Sequence, residues 1–270
     1  MKITFNYLGH IGQLGNQMFQ YAALRGICDH KNYNYTLPTN HMGNIFLYDC
    51  FKIFELEKKL DHWSNFPRIS PSHHGFDDQF FNNCPSESDI FGYFQTEKYF
   101  RHIEDVIRNE YTFQDHIVDD AKKYFNSMCF SDEVIGLHIR RTDYINHEFI
   151  RNLDLEYYEK SLDYFSDKTY VLIFSDDIEW CKNQKIFSNS RFKFSENNSK
   201  YVDLCLLSMC DYHIIANSTF SWWGSWLAKS KKTIAPKEWY TLSKLKSTNE
   251  WVPHMDLNSK DICPSDWKLL

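Results

Sequence analysis

The fold of this chain is decided by the stretch EVIGLHIRRTDY, which runs from Glu133 to Tyr144. Apolar residues at 135, 137 and 139 alternate with the period of two that is typical of a β-strand. Arg140 and Arg141 follow directly, and because an unpaired buried charge is costly, the strand must end before them. One interpretation is a structural ion pair between an arginine and Asp143. The other is an anion site, since guanidinium groups bind phosphate through paired hydrogen bonds and open α/β sheets bind ligands at the carboxyl ends of their strands.

The chain beyond this stretch repeats the same design of a strand, a polar strand end and a helix. Predicted strands cover 134–139, 170–174, 192–194, 212–216 and 233–235, and predicted helices cover 154–165, 178–187, 200–210 and 220–229. Alternating strands and helices predict a parallel sheet with right-handed crossovers. Ser175, Asp176 and Asp177 end one strand, and residues 217–219 end another. We therefore expect an α/β fold in which one crevice collects these polar strand ends.

The first third of the chain also begins with a strand, a turn and a helix. A strand over 2–7 leads into a glycine-rich turn that includes Gly15, Asn16 and Gln17, and a helix follows from Met18. The helix start is available to an anion or a polar ligand, although the glycines are equally suited to tight packing of strand against helix. Residues 36–87 are predicted as loops and short elements, 90–95 as a strand, 98–108 as a helix capped at Thr96, and 117–128 as a further helix.

Composition narrows the class of protein. A chain of 270 residues with 43% hydrophobic and 24% charged residues is an ordinary globular protein of one large or two modest domains. The net charge of −6 predicts no nucleic-acid partner. Eight scattered cysteines without metal-ligand spacing indicate reduced, mostly buried thiols. No signal peptide or membrane-spanning run is recognisable, so we expect a protein free in the cytoplasm or peripheral at the inner face of the membrane.

Several polar groups at the strand ends are candidates for phosphate binding. The hydroxyl groups of Ser218, Thr219 and Ser221 lie at a helix start, where they either hold a phosphate or act as simple N-caps. Asp176 and Asp177 are equally consistent with N-capping, and they do not form a D-x-D motif. No carboxylate pair suggests a Mg²⁺ site, so a metal-dependent sugar-nucleotide reaction is disfavoured. Arginine can supply the positive charge instead. For three tryptophans on one predicted helix, at 222, 223 and 226, core packing is the favoured interpretation.

Four motifs occur in a diagnostic order. They are GQLGNQMFQYA from Gly12, HIRRTDY from His138, FSDD from Phe174 and STFSWWG from Ser218. Together they resemble the α-1,2-fucosyltransferase family, glycosyltransferase family 11, in its short bacterial or viral form. The motif-bearing region extends over residues 12–227, whereas residues 40–130 carry no recognisable motif. The sequence departs from the family pattern at Gln13 and Thr142, where glycine is common. At Gln13 this departure puts close backbone approach at the turn in doubt.

The resemblance implies a GT-B-like fold with two Rossmann-like halves and a cleft between them. Residues 1–130 would form the acceptor-side domain, and residues 131–270 the domain that binds GDP-fucose. The reaction would transfer L-fucose, with inversion and without a metal or other cofactor, to the 2-hydroxyl of a terminal galactose. The acceptor would be a glycan or a lipid-linked oligosaccharide. Three alternatives stay open: a GDP-sugar hydrolase, a fucosyltransferase of another linkage, and a non-catalytic sugar-binding module.

The resemblance also implies roles for individual residues. One arginine of the pair 140–141 would hold the β-phosphate of GDP and stabilise it as leaving group, and Asp176 and Asp177 would lie near the nucleoside. The donor site as a whole would comprise His138, Arg140, Arg141, Ser175, Asp176, Asp177, Asn217, Ser218, Thr219 and Ser221. Gly15, Asn16 and Gln17 would reach the cleft from the other half. The candidate catalytic base is Asp143, with Glu148 and His138 as rivals. A carboxylate beside two guanidinium groups should have a lowered pKa, which weakens it as a base.

Overall fold

The computed structural model describes residues 1–39, 43–53, 59–60, 63–241 and 259–270. These residues form two compact units. The first unit comprises Met1–Gln114 and residues 259–264, and the second comprises residues 115–241 and 265–270. Each unit contains one parallel sheet. Within the described residues, no helix combines the length and the apolar character that a membrane span requires.

The division between the units falls at 114/115, whereas the sequence placed it at 130/131. The difference is one amphipathic helix, α5 (Asp115–Ser127), which buries Ile117 and Ala121. The Tyr124 hydroxyl donates to the carbonyl of Phe194 at 3.1 Å and accepts from the backbone N–H of Glu196 at 2.8 Å. The buried apolar face of α5 and these two hydrogen bonds attach the helix to the second unit. An amphipathic helix is stabilised by the surface that buries its apolar face, and sequence position alone does not identify that surface.

The first unit has a five-stranded sheet with helices in the connections. Its strands are β1 (Lys2–Thr4), β2 (Asn34–Pro38), β3 (Lys59–Leu60), β4 (Arg68–Ile69) and β5 (Ser88–Ile90), in the spatial order β3-β2-β1-β5-β4. Its helices are α1 (Leu14–Lys31), α2 (Phe46–Cys50), α3 (Asp78–Asn83) and α4 (Glu104–Glu110). Helix α1 begins four residues earlier than predicted. Its N-cap, Gln13, has an extended backbone with φ −92°, so a side chain at this position costs no strain.

Two sequence predictions in the first unit need correction. The strand predicted over 90–95 is β5 and ends at Ile90, because Gly92 (φ 159°) and Phe94 (φ 53°) turn the backbone away from the extended conformation. The helix predicted over 98–108 begins as two 3₁₀ turns and becomes α-helical only at Glu104. Its predicted cap is confirmed, since the Thr96 hydroxyl accepts from the backbone N–H of Lys98 at 3.3 Å. The predicted loop region 36–87 contains short elements, and residues 40–42, 54–58 and 61–62 lie outside the described residues.

The second unit has a six-stranded parallel sheet. Its strands are β6 (Val134–Ile139), β7 (Tyr170–Ser175), β8 (Phe192–Phe194), β9 (Tyr212–Ile214), β10 (Lys232–Ala235) and β11 (Lys268–Leu269), in the spatial order β11-β10-β9-β6-β7-β8. Besides α5, its helices are α6 (Leu155–Leu162), α7 (Ile178–Lys182), α8 (Lys200–Ser208) and α9 (Thr219–Ala228). The helix predicted over 178–187 is α7 followed by a 3₁₀ turn, Lys185–Phe187. The predicted parallel α/β architecture is confirmed.

Strand β6 lies at the centre of this sheet, and all six of its residues are buried. Helix α8 approaches β6 closely at Gly136, and helix α9 approaches α8 closely at Gly224. A Cβ atom on Gly136 of β6 would lie 2.7 Å from Leu207 of α8, and one on Gly224 of α9 would lie 2.3 Å from the same leucine. Leu207 therefore fills the space that both glycines leave, which packs α8 and α9 tightly together with β6. The three tryptophans of α9 are buried beside this contact, as the core-packing interpretation predicted.

Candidate active site

The polar strand ends of the second unit come together at the carboxyl edge of its sheet. Strands β6 and β7 are neighbours, and their register pairs Ile139 with Ser175. Arg140 and Asp176 are the next residues of the two strands and therefore lie side by side. Strand β9 borders β6 on its other side, and the Tyr144 hydroxyl donates to the carbonyl of Asn217 beyond β9 at 3.3 Å. The residues that follow three central strands thus form one cluster at the edge where open α/β sheets bind ligands.

Arg140 is held by two carboxylates. Its Nε and one terminal nitrogen donate to the two oxygens of Asp143 at 2.8 and 2.9 Å, and Nε lies 3.4 Å from Asp176. Burial lowers the pKa of Arg140, but the hydrogen bond to Asp143 and the charge of Asp176 raise it by more. The predicted ion pair of an arginine with Asp143 is present, and the Arg140 side chain remains 31% exposed. The ion pair and the anion site are therefore compatible interpretations of the same group.

Arg141 is positioned differently from its neighbour. Its guanidinium carbon lies 3.6 Å from the ring centre of Trp180, a close cation–π contact. Its Nε donates to Asp177 at 3.2 Å. Among the contacts of the described residues, this is the only side-chain hydrogen bond of Arg141, so its two terminal nitrogens can donate to an anion. Sequence analysis assigned no role to Trp180, although its position three residues after Asp177, at the start of a predicted helix, was a usable signal.

Asp176 fastens the backbone that carries both arginines. One carboxylate oxygen accepts the N–H of Arg141 at 2.9 Å, and the other accepts the N–H of Thr142 at 3.1 Å together with the Thr142 hydroxyl. Burial raises the pKa of Asp176, but the hydrogen bonds from Thr142 and from the backbone of Arg141, with the charge of Arg140, bring it below its ordinary value. Both oxygens of this carboxylate are thus occupied within the protein. We call this arrangement of Asp176 with residues 141–142 the aspartate clasp.

Asp177 is the N-cap of α7, as the alternative interpretation predicted. Its Oδ1 accepts the N–H of Trp180 at 3.2 Å, and its own N–H donates to the Ser175 hydroxyl at 3.0 Å. Its second oxygen pairs with Arg141. One aspartate therefore couples the start of a helix to a candidate phosphate-binding arginine.

His138 is buried inside the same strand end. Its side chain lies 5.5 Å from the ring of Phe220, and among the described residues its Nδ1 has no hydrogen-bond partner. Burial, with a further contribution from the charge of Arg140, lowers the pKa of His138 to about 3. The imidazole is therefore neutral near pH 7 and a very weak base. An unsatisfied polar atom at this position is consistent with a hydrogen bond that forms only when a ligand is bound.

The polar residues beyond β9 take separate roles. The side-chain amide of Asn217 donates to the carbonyls of Arg151 and Trp239 at 2.7 and 2.9 Å, which braces two loops. The buried Ser221 hydroxyl donates to the carbonyl of Ser218 at 3.2 Å. Ser218 precedes α9 without a side-chain capping bond, so simple N-capping does not account for it. Ser218 and Thr219 therefore remain the candidates for ligand contact at this helix start.

Glu148 lies in the segment that connects β6 to α6. Residues 149–151 of this segment pair with residues 239–241 through an isolated bridge and two backbone hydrogen bonds. Glu148 is exposed, and among the described residues it makes no ion pair with Arg140 or Arg141. The structure therefore brings Asp143, but not Glu148, into direct contact with the arginines.

The predicted residues of the glycine turn belong to the first unit. Gln17 is fully buried, and its amide bonds the carbonyl of Asn44 and the N–H of Phe46, both at 2.9 Å. It braces a loop and is fully buried, which corrects the expectation that its side chain reaches outward. Asn16 is half-buried and accepts from Gln95 at 2.7 Å, and Gly15 is buried within α1. Of the three residues, Asn16 alone presents a partly exposed polar side chain.

Comparison with solved structures places this fold among fucosyltransferases of the GT-B-like type. The sequence similarity is low, but the structural match is extensive. POFUT1 in complex with GDP-fucose matches with a TM-score of 0.54 at 13% identity, over 85% of this chain and 95% of that chain. The chain thus has the fold of a glycosyltransferase. The model of glycosyl transferase family 11 matches residues 2–254, and the protein belongs to that family.

Two relatives show where the chain lies within the family. The alpha-1,2-colitosyltransferase of Escherichia coli is 34% identical over 95% of each chain. The galactoside alpha-(1,2)-fucosyltransferase 2 of Pongo pygmaeus is 25% identical over 81% of this chain and 67% of that one. The family predicted from the four motifs is confirmed, and the chain is similar to bacterial and animal enzymes that form α-1,2 linkages.

Proposed function

We propose that this enzyme transfers L-fucose from GDP-fucose to the 2-hydroxyl of a terminal galactose, with inversion and without a metal ion. The observation that carries the proposal is the pair Arg140 and Arg141, held at the carboxyl edge of a parallel sheet in a chain similar to α-1,2-transferases. Guanidinium groups suit a diphosphate because their N–H groups match its oxygens in pairs.

The reaction needs stabilisation of the departing diphosphate. As the bond between the anomeric carbon and the β-phosphate oxygen breaks, its electron pair stays on the phosphate, and preorganised positive charge lowers the barrier. Three carboxylates, those of Asp143, Asp176 and Asp177, surround the two arginines. The two arginines and three carboxylates together carry excess negative charge, so a diphosphate can bind well only if one carboxylate withdraws.

Asp143 is the carboxylate best placed to withdraw. It is 57% exposed, whereas Asp176 is 18% exposed and fixed in the aspartate clasp. A diphosphate that takes the N–H groups of Arg140 frees both oxygens of Asp143, which otherwise accept those N–H groups. The released carboxylate can then accept the proton of the acceptor hydroxyl while the oxygen attacks the anomeric carbon. We favour Asp143 as the base and keep Glu148 as its rival, whereas the low pKa of His138 makes it unsuitable.

Catalysis without a metal ion is part of the proposal. The carboxylates of the cluster bond guanidinium and backbone N–H groups, and the arginines supply the charge that a divalent cation would otherwise bring. Excess EDTA is expected to leave the rate of transfer unchanged. Strong inhibition that is restored by a divalent cation would contradict this part of the proposal.

A second donor is favoured by the similarity to the colitosyltransferase. Colitose is L-fucose without its 3-hydroxyl, so the same arginine pair would suit the diphosphate of either donor. The decisive experiment incubates purified protein with GDP-fucose or GDP-colitose, with and without a β-galactoside, and analyses the product by mass spectrometry and NMR. We expect a new α-1,2 linkage to galactose. Sugar release that does not depend on the acceptor would indicate a hydrolase, and neither binding nor turnover of GDP-fucose would refute the proposed donor.

A further inference from the structure

The first unit presents a group of aromatic rings at the carboxyl edge of its own sheet. We define the aromatic platform as Tyr7, His10, Trp63 and Phe91, with Arg68 beside them. Tyr7 follows β1 and Phe91 directly follows β5, two strands that are adjacent in the sheet, and Arg68 lies in the two-residue strand β4 beside β5. The platform thus lies at the edge where parallel sheets bind their ligands, and none of its members belongs to the arginine cluster.

The rings of the platform support one another. The ring centres of Tyr7 and Trp63 are 4.7 Å apart, those of Tyr7 and Phe91 are 5.3 Å apart, and those of His10 and Trp63 are 5.6 Å apart. Tilted and edge-to-face contacts of this kind are the favourable geometries for aromatic pairs. Trp63 is nevertheless 41% exposed. Its ring is therefore held in place from one side and open to solvent on part of its surface.

The backbone beside Trp63 is fastened as well. The Asn6 side chain donates to the carbonyl of Ser64 at 2.9 Å and accepts the N–H of Ser64 at 3.0 Å. The backbone N–H of Asn6 donates in turn to the buried carboxylate of Asp89 at 2.8 Å. Single exposed aromatic side chains are ordinary on protein surfaces and need no explanation. Trp63 differs from such residues because the backbone next to it is held by two reciprocal hydrogen bonds, so its exposed ring is preorganised for binding.

Arg68 adds polar recognition to the platform. Its guanidinium carbon lies 4.1 Å from the ring centre of Tyr7 and 5.1 Å from that of Phe91, and its Nε lies 3.7 Å from Asp89. The side chain is 46% exposed. The guanidinium is therefore held in position over two rings of the platform, while its exposed N–H groups remain available as donors.

This combination matches the chemistry of a sugar ring. A galactose residue has one face of C–H bonds, which stacks on an aromatic ring, and a rim of hydroxyl groups, which accept from Arg and His side chains. Binding sites for small molecules typically combine aromatic walls with a few fixed polar groups. We propose that the aromatic platform, with Trp63 at its centre, binds the galactose ring of the acceptor. The inference rests on the proposed transfer to a galactoside and assigns it a binding surface in the first unit.

The test measures binding of methyl β-D-galactoside to the full-length protein by saturation-transfer NMR and by titration. Trp63→Ala is expected to weaken binding by at least about tenfold, equivalent to about 1.4 kcal/mol. Trp63→Phe should retain part of the affinity because a ring remains. Tyr164→Ala is the matched control, since Tyr164 is a similarly exposed aromatic residue (43%) in the second unit. GDP affinity, measured in parallel, should be unchanged in all three variants and reports that each is folded.

The outcomes separate this inference from the proposed function. Equal galactoside affinity in wild type and Trp63→Ala, or no galactoside binding by the wild type, overturns the platform as the acceptor site. Turnover of GDP-fucose is scored independently, so an active enzyme with an insensitive Trp63 retains the proposed function and loses only the platform. A protein that binds galactoside through Trp63 but never turns over GDP-fucose keeps the sugar site and loses the transfer reaction.

Discussion

The aspartate clasp makes a sharp prediction for Asp176→Asn. The carboxylate accepts the backbone N–H groups of Arg141 and Thr142 through different oxygens, and asparagine keeps only one acceptor oxygen. The amide NH₂ group would face a backbone donor, so one N–H loses its partner. A hydrogen bond to a charged group contributes about 1.5–3 kcal/mol. Because Asp176 is partly exposed, we expect the free energy of unfolding to fall by about 2 kcal/mol. Because the same backbone carries both arginines, we expect kcat/KM for GDP-fucose to fall by about 10- to 100-fold.

The assay compares transfer kinetics, GDP affinity and chemical denaturation with those of a control variant. Asp211 is a suitable control because its carboxylate accepts the N–H of Val134 at 3.0 Å and pairs with Lys231 at 2.9 Å, at the amino edge of the same sheet. Asp211→Asn should lower stability to a similar degree and leave kcat/KM unchanged. The reasoning fails if Asp176→Asn is as active as the wild type, or if both variants lose activity in proportion to their lost stability.

The pH dependence of stability gives a second readout of the clasp. The pKa of Asp176 lies below its ordinary value of 3.8 in the folded protein, so its ionised form stabilises the fold. This contribution is fully present above that value and is lost as the pH falls through the lower, folded-state pKa. The stability difference between wild type and Asp176→Asn should therefore be constant near neutral pH and shrink below pH 3.8. A difference that persists in acid would mean that the carboxylate charge does not carry the effect.

Five further substitutions, grouped into three predictions, test the rest of the site. Arg140→Ala and Arg141→Ala should each nearly abolish transfer, and full activity in either variant would remove that arginine from the leaving-group role. Asp143→Asn should lower kcat far more than Glu148→Gln, and the reverse order in single-turnover rates would make Glu148 the base. Trp180→Ala removes the ring 3.6 Å from the Arg141 guanidinium and should raise the KM for GDP-fucose several-fold with a smaller change in kcat. An unchanged KM in that variant would show that the cation–π contact does not position Arg141.

The sequence predicted the second unit better than the first because its signals are local. Strand β6 was predicted with its correct bounds, since six alternating residues ending in two charges leave little freedom. In the first unit β4 has two residues and β5 three, too few for a period to emerge. The site residues followed the same rule. Asp177 as an N-cap could be foreseen from its own helix, whereas the burial of Gln17 depends on a loop about 27 residues away in sequence.

The ion-pair and hydrogen-bond partners of the charged groups could not be predicted from the sequence. They depend on the register between strands that are distant in the chain. The pairing of Ile139 with Ser175 sets Asp176 beside the backbone of residues 141–142, and a shift by one residue would point its side chain to the opposite face. From the sequence, Asp143 was the candidate base or an ion-pair partner of an arginine, and Asp176 was an N-cap acid or a residue near the nucleoside. The register divides their roles: Asp176 is fixed to the backbone with both oxygens occupied, and Asp143 holds a guanidinium from an exposed position. Only the pair of Asp143 with Arg140 can be exchanged for a diphosphate without breaking the strand end. For this reason we propose Asp143 as the base and Asp176 as the residue that holds the backbone of the strand end.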